Sequence, residues 1–361
     1  MNIEGKNYSV AQLHSFTQAV FEHCGMNTAD AKLSADVLVS ADLRGIDSHG
    51  VARLSGYVRL QEAGRANMNP NWKVIHETPS TATIDADGGL GLAVAPKAMD
   101  IAIKKAKQVG TGWVAIQNSN HFGIAAYHAM KALEHDMIGI AMTNASPLVA
   151  PTHSKERMLG TNPICYVFPS GKHQPIVVDL ATSTAANGKL EIAQRANKKV
   201  PKGWIIDKQG NDTEDPNALK EGGILLPLGS GDTKAGHKGF GLSAIVDLMC
   251  GVLSGANYGP WVPPFVAFLD PLQNQPGKGI GHFVGAMRID AFRPADDFKN
   301  NIDNWIERFK MATPIDEKNP VIIPGEPEFA YAKERAVSGI PLNDVVVAHL
   351  KNLSEKLGIP L

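Results

Sequence analysis

The texture of this chain changes at Thr81, and that change limits the folds open to it. Before it, apolar residues recur at helical spacing. Ser9 can cap a helix carrying Val10, Leu13, Phe16, Val20 and Phe21, which Gly25 ends. Thr28 or Asp30 can open a second, with Leu33, Val37, Leu38 and Leu43 inward. A third is predicted over residues 48–64, with Leu54, Tyr57, Val58 and Leu60 as its apolar side. After Thr81, short β-rich runs alternate with amphipathic helices. Strands are predicted over residues 81–85, 113–117, 138–143, 164–168, 176–180, 203–207 and 282–289. Helices are predicted over 96–109, 124–133, 240–253, 295–311, 327–338 and 342–357. Residues 208–221 read as exposed turns. Residues 255–279 hold five prolines and read as an ordered excursion. The pattern gives an α/β chain with a mixed sheet and helices at both ends.

With 361 residues the chain can bury a large core divided over two or three subdomains. A formal net charge of -1 gives no electrostatic case for nucleic acid or an anionic membrane. No apolar run approaches the ~20 residues that span a bilayer. The first residues have no basic stretch leading into an apolar run, so no signal peptide is expected. Cys24, Cys165 and Cys250 are far apart and odd in number. They argue against a disulfide framework and against a four-thiolate zinc site. A reducing, cytoplasmic setting is expected.

The run Gly45-Ile46-Asp47-Ser48-His49-Gly50-Val51-Ala52-Arg53 places a proton carrier and a fixed positive charge four positions apart. On a helix that starts near Asp47 or Ser48, His49 and Arg53 share one face, one turn apart. His49 can exchange a proton near neutral pH, and the Arg53 fork can hold a carboxylate. Redox chemistry on a hydroxy acid needs that pair. The bland alternative is a solvated turn with a capping histidine. A Gly-x-Gly-x-x-Gly loop between strand and helix is absent: Gly89-Leu90-Gly91 lacks its third glycine. A dinucleotide would therefore bind through other backbone amides and cations.

Further clusters can carry chemistry. Asn118-Ser119-Asn120-His121-Phe122-Gly123 follows a strand, which suits the lining of a cleft, and His121 is a second acid/base candidate. The alternative is a polar turn bonded to its own backbone. Thr143-Asn144-Ala145-Ser146-Pro147 and Gly160-Thr161-Asn162-Pro163 are strand-edge loops rich in donors and acceptors. Pro163 is expected to hold Asn162 extended. Asp179 ends an apolar strand and can orient a histidine, accept from a ribose hydroxyl, or cap a helix. Gly236-His237-Lys238-Gly239 opens a helix and can cradle an anion, or leave its lysine solvated. Pro324-Gly325-Glu326-Pro327-Glu328 precedes a helix whose dipole its glutamates compensate.

These clusters, in this order, resemble the type-2 malate/L-lactate dehydrogenases. That family includes ureidoglycolate and sulfolactate dehydrogenases and diketogulonate reductases. The resemblance covers nearly the whole chain. It rests on Asp47 to Gly50, Asn118 to His121, Gly160 to Pro163, Asp179 to Ser183, His237-Lys238-Gly239 and Gly281-His282-Phe283. It implies a non-Rossmann NAD(P)-binding fold with a mixed sheet, whose helical N- and C-terminal segments pack together. Residues 1–80 and 290–361 would form the substrate and dimerisation domain. Residues 81–289 would bind NAD(P), with a smaller inserted subdomain. It also implies a homodimer with active sites near the subunit interface.

Residue by residue, the resemblance makes His49 a proton donor in the reductases and His121 a proton acceptor in the ureidoglycolate enzymes. Asp179 joins them as a catalytic candidate. Arg53, Ser48 and Thr161 are expected at the substrate. Asn144, Ser146, Asn162, Pro175, Ile176, Val177, Val178, Asp179, Leu180, Ala181, His237, Lys238, Gly325 and Glu326 are expected at the cofactor. Ala145 stands where the family often has serine, and Ser146 is its substitute. The expected reaction is hydride transfer between NAD, or NADP, and a 2-hydroxy/2-oxo acid, malate/oxaloacetate first. Lactate, ureidoglycolate, sulfolactate or a cyclic imino acid are the alternatives. More distant are a non-catalytic NAD(P)-binding protein and a metal-dependent hydrolase built on His49, His121 and Asp179. No spaced metal-ligand motif supports the latter, and no metal is expected.

Overall fold

Side-chain caps set the first helices in the computed structural model, which describes residues 6–195, 197–230 and 235–361. Strand β1 (Lys6–Tyr8) leads into α1 (Val10–His23), where Ser9 Oγ accepts from the Gln12 amide at 3.1 Å. Asn27 does the same for α2 (Thr28–Leu43), through the Asp30 amide at 3.0 Å. Helix α3 (Leu54–Glu62) covers only part of the helix predicted over 48–64. Then come β2 (Lys73–Glu77), β3 (Thr81–Asp85), α4 (Gly91–Val109) and β4 (Thr111–Ser119). Helix α5 (Ala125–Met130) is followed by β5 (Met137–Thr143), β6 (Ile164–Phe168) and β7 (Ile176–Leu180).

The next stretch departs from the prediction. Helix α6 (Asn187–Arg195) is new. Strand β8 (Ile205–Ile206) falls within the strand predicted over 203–207, and it forms a small sheet with β9 (Asp212–Thr213), which lies where turns were expected at 208–221, and with β10 (Ile224–Leu225) just beyond them. Two-residue strands are too short to leave a period in the sequence. Helix α7 (Gly236–Asp247), β11 (Ile280–Arg288), α8 (Ala295–Lys310) and α9 (Glu326–Ser338) follow. The chain closes with β12 (Ile340–Leu342) and α10 (Asp344–Leu357).

The main sheet has the order β2-β3-β4-β11-β5-β6-β7. Strands β3 and β4 pair in parallel, joined by α4 as crossover. The other five pairings are antiparallel. Strand β11 lies in the middle and is buried along seven of its nine residues. On one face, Met99 and Ile103 of α4 and Ala125 and Ala129 of α5 pack on Ile84, Val114, Ile116 and Val284. On the other, Val246 and Cys250 meet Ile140, Met142 and Phe283.

The chain ends meet beside this sheet. Strand β1 pairs with β12, and Leu13, Phe16, Leu38, Leu54 and Tyr57 share one apolar cluster with Ile340, Leu350 and Leu353. Helix α8 packs elsewhere, setting Ile302 and Ile306 against Ile176 and Val178 of β7. Among the described residues, no helix is long and apolar enough to cross a membrane.

Candidate active site

The segment from Asp47 to Arg53 is not helical as expected. It forms two successive 3-10 turns, Asp47–His49 and Val51–Arg53, separated by Gly50. The cause is a buried carboxylate. Asp42 Oδ2 accepts the Val51 N–H at 2.8 Å. A Cβ on Gly50 would fall 1.9 Å from Asp42 Oδ1, so only glycine lets the chain pass. Burial pushes the Asp42 carboxyl well above its ordinary value, with the Asp47 charge adding to the effect. Arg335 of α9 ties the segment from outside, donating to the Asp42 carbonyl and the Asp47 carboxylate. His49 and Arg53 therefore come together through a turn. Arg53 Nε donates to the Ser48 carbonyl at 2.6 Å, and Ser48 Oγ bonds His49 Nδ1 at 2.8 Å.

His121 arrives from the end of β4. Its ring stacks on His49 with centroids 5.7 Å apart and planes 23° from parallel. Its Nδ1 accepts from the Gly123 N–H at 3.2 Å, and Tyr57 Oη lies 2.6 Å from the same atom. A backbone N–H can only donate. Nδ1 is thus the acceptor, Tyr57 donates, and neutral His121 carries its proton on Nε2. Ser48 can donate or accept, so His49 is free to present a bare Nε2. Phe265 closes the cluster, 4.9 Å from the His121 ring and 5.1 Å from Tyr57.

Burial, then the Arg53 charge, lowers His49 from 6.5 to about 4. Burial, His49 and Arg53 hold His121 well below its ordinary value. Two touching imidazoles beside a guanidinium stay neutral at neutral pH, one fixed as donor and one available as acceptor.

Behind this pair, His282 of β11 joins the strand ends. Its Nδ1 bonds Thr143 Oγ1 at 2.7 Å and its Nε2 bonds Ser119 Oγ at 2.9 Å. Burial lowers it to about 3, and Phe122 stacks on it at 4.8 Å. Two members of the cluster escaped the sequence reading. Tyr57 was read as part of an apolar helix face, although it stands one turn after Arg53. Phe265 lies in the proline-rich excursion, whose path no period marks.

Several expected cofactor residues prove to be occupied. Asn144 Nδ2 donates to the Asn257 carbonyl at 2.8 Å and Asp247 at 3.3 Å, while its Oδ1 accepts from Gly281 at 3.0 Å. Asn162 Oδ1 accepts from Ala145 N and its Nδ2 donates to the Ser243 carbonyl. These bonds hold Asn162 at φ 37°, which corrects the extended backbone expected before Pro163. Both amides lock loops. Ser146 bonds Pro263 O and Phe265 N. Thr182 Oγ1 donates to the carbonyls of Thr161 and Asn162.

Asp179 accepts the Ala126 N–H at 3.0 Å and so caps α5. Burial lifts it to about 6, opposed by that bond and by Arg44. Among the described residues it bonds neither His49 nor His121, which corrects its expected role in orienting a histidine. Strand β7 runs beside the 324–326 turn, where Val177 N–H donates to Pro324 O at 3.0 Å. Two expected cofactor segments thus meet. Glu326 is turned inward, accepting from Ile323 N and Lys310 Nζ. His237 and Lys238 are exposed in the first turn of α7. Leu228 links that turn to β7, donating to Thr182 O at 2.9 Å and lying against Gly239. A strand edge beside a helix N-terminus with an exposed lysine suits an elongated ligand carrying phosphates. No group of three or more His, Cys, Asp and Glu is placed to hold a metal among the described residues.

Two imidazoles driven to the neutral form thus stack beside an anchored guanidinium, where strand ends meet a helical layer. The chain belongs to the malate/L-lactate dehydrogenase family, whose sequence profile matches residues 8–351. It is similar to the malate dehydrogenase of Pyrococcus horikoshii, 43% identical over 349 residues covering 96% of this chain and 94% of that one. It is also similar to the L-sulfolactate dehydrogenase of Methanocaldococcus jannaschii, 38% identical over 340 residues and 94% of each chain. The solved malate dehydrogenase of Entamoeba histolytica superposes with a TM-score of 0.92 at 32% identity, over 99% of both chains. The protein is an enzyme of the 2-hydroxy acid dehydrogenase class.

The depressed imidazoles set a pH dependence. A lowered pKa keeps His49 neutral, and able to accept a proton, down to about 4. In the oxidation direction, the acid limb of kcat/KM, corrected for substrate ionisation, is expected near that value. A limb near 6.5 would show that the imidazoles are solvated in the working enzyme.

Proposed function

We propose that this chain transfers a hydride between NAD, with NADP as the second candidate, and malate/oxaloacetate. The observation that carries the reading is the neutral His49–His121 pair, 5.7 Å apart, beside an arginine whose Nε is fixed on Ser48. With Nε occupied, both terminal nitrogens of Arg53 stay available for the fork that grips a carboxylate. In oxidation, His49 Nε2 takes the hydroxyl proton. His121 Nε2–H donates to the same oxygen and polarises the carbonyl that forms. Tyr57 and the Gly123 amide keep the His121 tautomer that makes this possible. Ser48 and Thr161 complete the substrate contacts. The nicotinamide, when bound, accepts the hydride and its electron pair from C2.

For the cofactor, we assign Ile176 to Leu180 with Gly325 to the nucleoside portion, and His237 and Lys238 with the α7 amides to the phosphates. Asp179, near the end of β7, is a cofactor-side residue in this reading. The binding fold is read as non-Rossmann, because five of six main-sheet pairings are antiparallel and the glycine fingerprint is missing. We keep residues 1–80 and 290–361 as the substrate and dimerisation domain, and 81–289 as the cofactor domain. The three unpaired thiols fit a cytoplasmic enzyme.

NADH and NADPH oxidation across oxaloacetate, pyruvate, sulfopyruvate and larger 2-oxo acids tests the proposal. Oxaloacetate is expected to give the highest kcat/KM. A higher value for another acid would transfer the assignment to that substrate, and inertness toward all of them would refute it. His49→Ala should lower kcat by about 10²–10⁴-fold with NADH affinity retained. Arg53→Lys, which keeps the charge but loses the fork, should raise KM and lower kcat/KM at least tenfold.

We also propose a homodimer. Leu242, Ile245, Leu248, Val252 and Leu253 recur at helical spacing on α7 and the turn after it, and all are exposed. A solvated apolar stripe of this length suits an interface between two copies. Ile245→Glu with Leu248→Glu should shift the mass measured by light scattering from dimer to monomer. Wild-type protein that is already monomeric would exclude this assembly.

A further inference from the structure

The roof of the acid/base site comes from a segment with little structure of its own. Residues 263–269 hold two prolines and no strand or helix. Phe268 is 82% exposed and Leu269 49%. Phe265 lies against both His121 and Tyr57, and with Ala267 it packs on the apolar cluster of the helical layer. The backbone of the segment is held by two side chains.

Arg65 holds it from one side. It lies three residues beyond the end of α3, the helix that presents Tyr57. Its Nη1 donates to the carbonyls of Val266 at 3.1 Å and Leu269 at 2.9 Å, and its Nη2 donates to Pro264 O. One rigid fork thus grips three carbonyls. Ser146 holds the other side, donating to Pro263 O at 3.3 Å and accepting from Phe265 N at 3.0 Å. Helix α3 is shaped to receive the ring: a Cβ on Gly56 would lie 2.8 Å from Phe265 Cε1. The same segment faces Ala52, Arg53, Gly56 and Arg59 across a narrow cleft.

We propose that Arg65 is a positioning residue for the reaction: it latches residues 263–269 to α3 and so seats Phe265 over the His121–Tyr57 pair. Arg65 touches neither imidazole. Its effect passes through Phe265, which keeps water off the atoms that exchange the proton. The proposal rests on the dehydrogenase reading above. Turnover by the wild type on any 2-oxo acid settles that reading first, so the two fail separately.

The test combines a mutant cycle with hydrogen exchange. Arg65→Ala and Phe265→Ala should each lower kcat at least tenfold, with NADH affinity within twofold of wild type. The double variant should be no worse than Phe265→Ala alone, because Arg65 acts through that ring. Arg65→Lys keeps the charge but not the fork, and should recover less than half of the lost turnover. It also serves if the alanine variant fails to fold. Amide exchange across 263–269 should speed up in Arg65→Ala while β4 and β11 stay protected. Wild-type turnover in Arg65→Ala, multiplicative losses in the double variant, or unchanged exchange across 263–269 would overturn the proposal.

Discussion

Strand β11 holds the architecture together because it fills the middle of the sheet and comes late in the chain. It pairs with β4 on one side and β5 on the other, over seven residues each. Without it, β2-β3-β4 and β5-β6-β7 are two separate ribbons with open edges. Its two neighbours are the strands whose ends carry the site: β4 leads to His121 and β5 to Asn144. His282, near the start of β11, bonds both ends through Ser119 and Thr143. The distance between the His121 side and the Asn144 side is therefore fixed by one strand, and that contact closes more than 130 residues of sequence.

Burial governs the electrostatics around this frame. His49, His121, His128 and His282 are all driven toward the neutral form, chiefly by loss of solvent. Asp42 and Asp179 are driven the same way, toward the protonated acid. A charge held here without a partner is costly, so the cluster is built from neutral imidazoles with assigned donors. The loop locks at Asn144 and Asn162 follow the same logic: buried amides are bonded to protein atoms.

Much of the fold could be read directly. Strands 81–85, 164–168 and 176–180 lie as predicted, because alternation and β-branched runs fix strands that are half buried. The end helices start and stop where caps and glycines place them. Other parts could not be read. The break between Ser48 and Leu54 depends on the Asp42 carboxylate, which belongs to the preceding helix and leaves no periodic trace. The backbone of Asn162 is set by Ala145 and Ser243, and the local rule before proline loses to those contacts. Tyr57 looked apolar because its ring is buried and its hydroxyl meets a residue 64 positions away.

The sequence by itself determined the mixed α/β character and, through six ordered motifs that resemble one family, the reaction class. The first follows from short-range periodicity and the second from motif order, and both survive in one dimension. Only the tertiary structure decided which histidine is fixed as donor. That depends on the Tyr57 hydroxyl, 64 positions away, meeting His121 Nδ1 beside the local Gly123 amide. It also moved Asp179 from the histidines to the α5 terminus and put Phe265 over His121. Those placements rest on long-range contacts, and neither composition nor spacing encodes which distant atoms will meet.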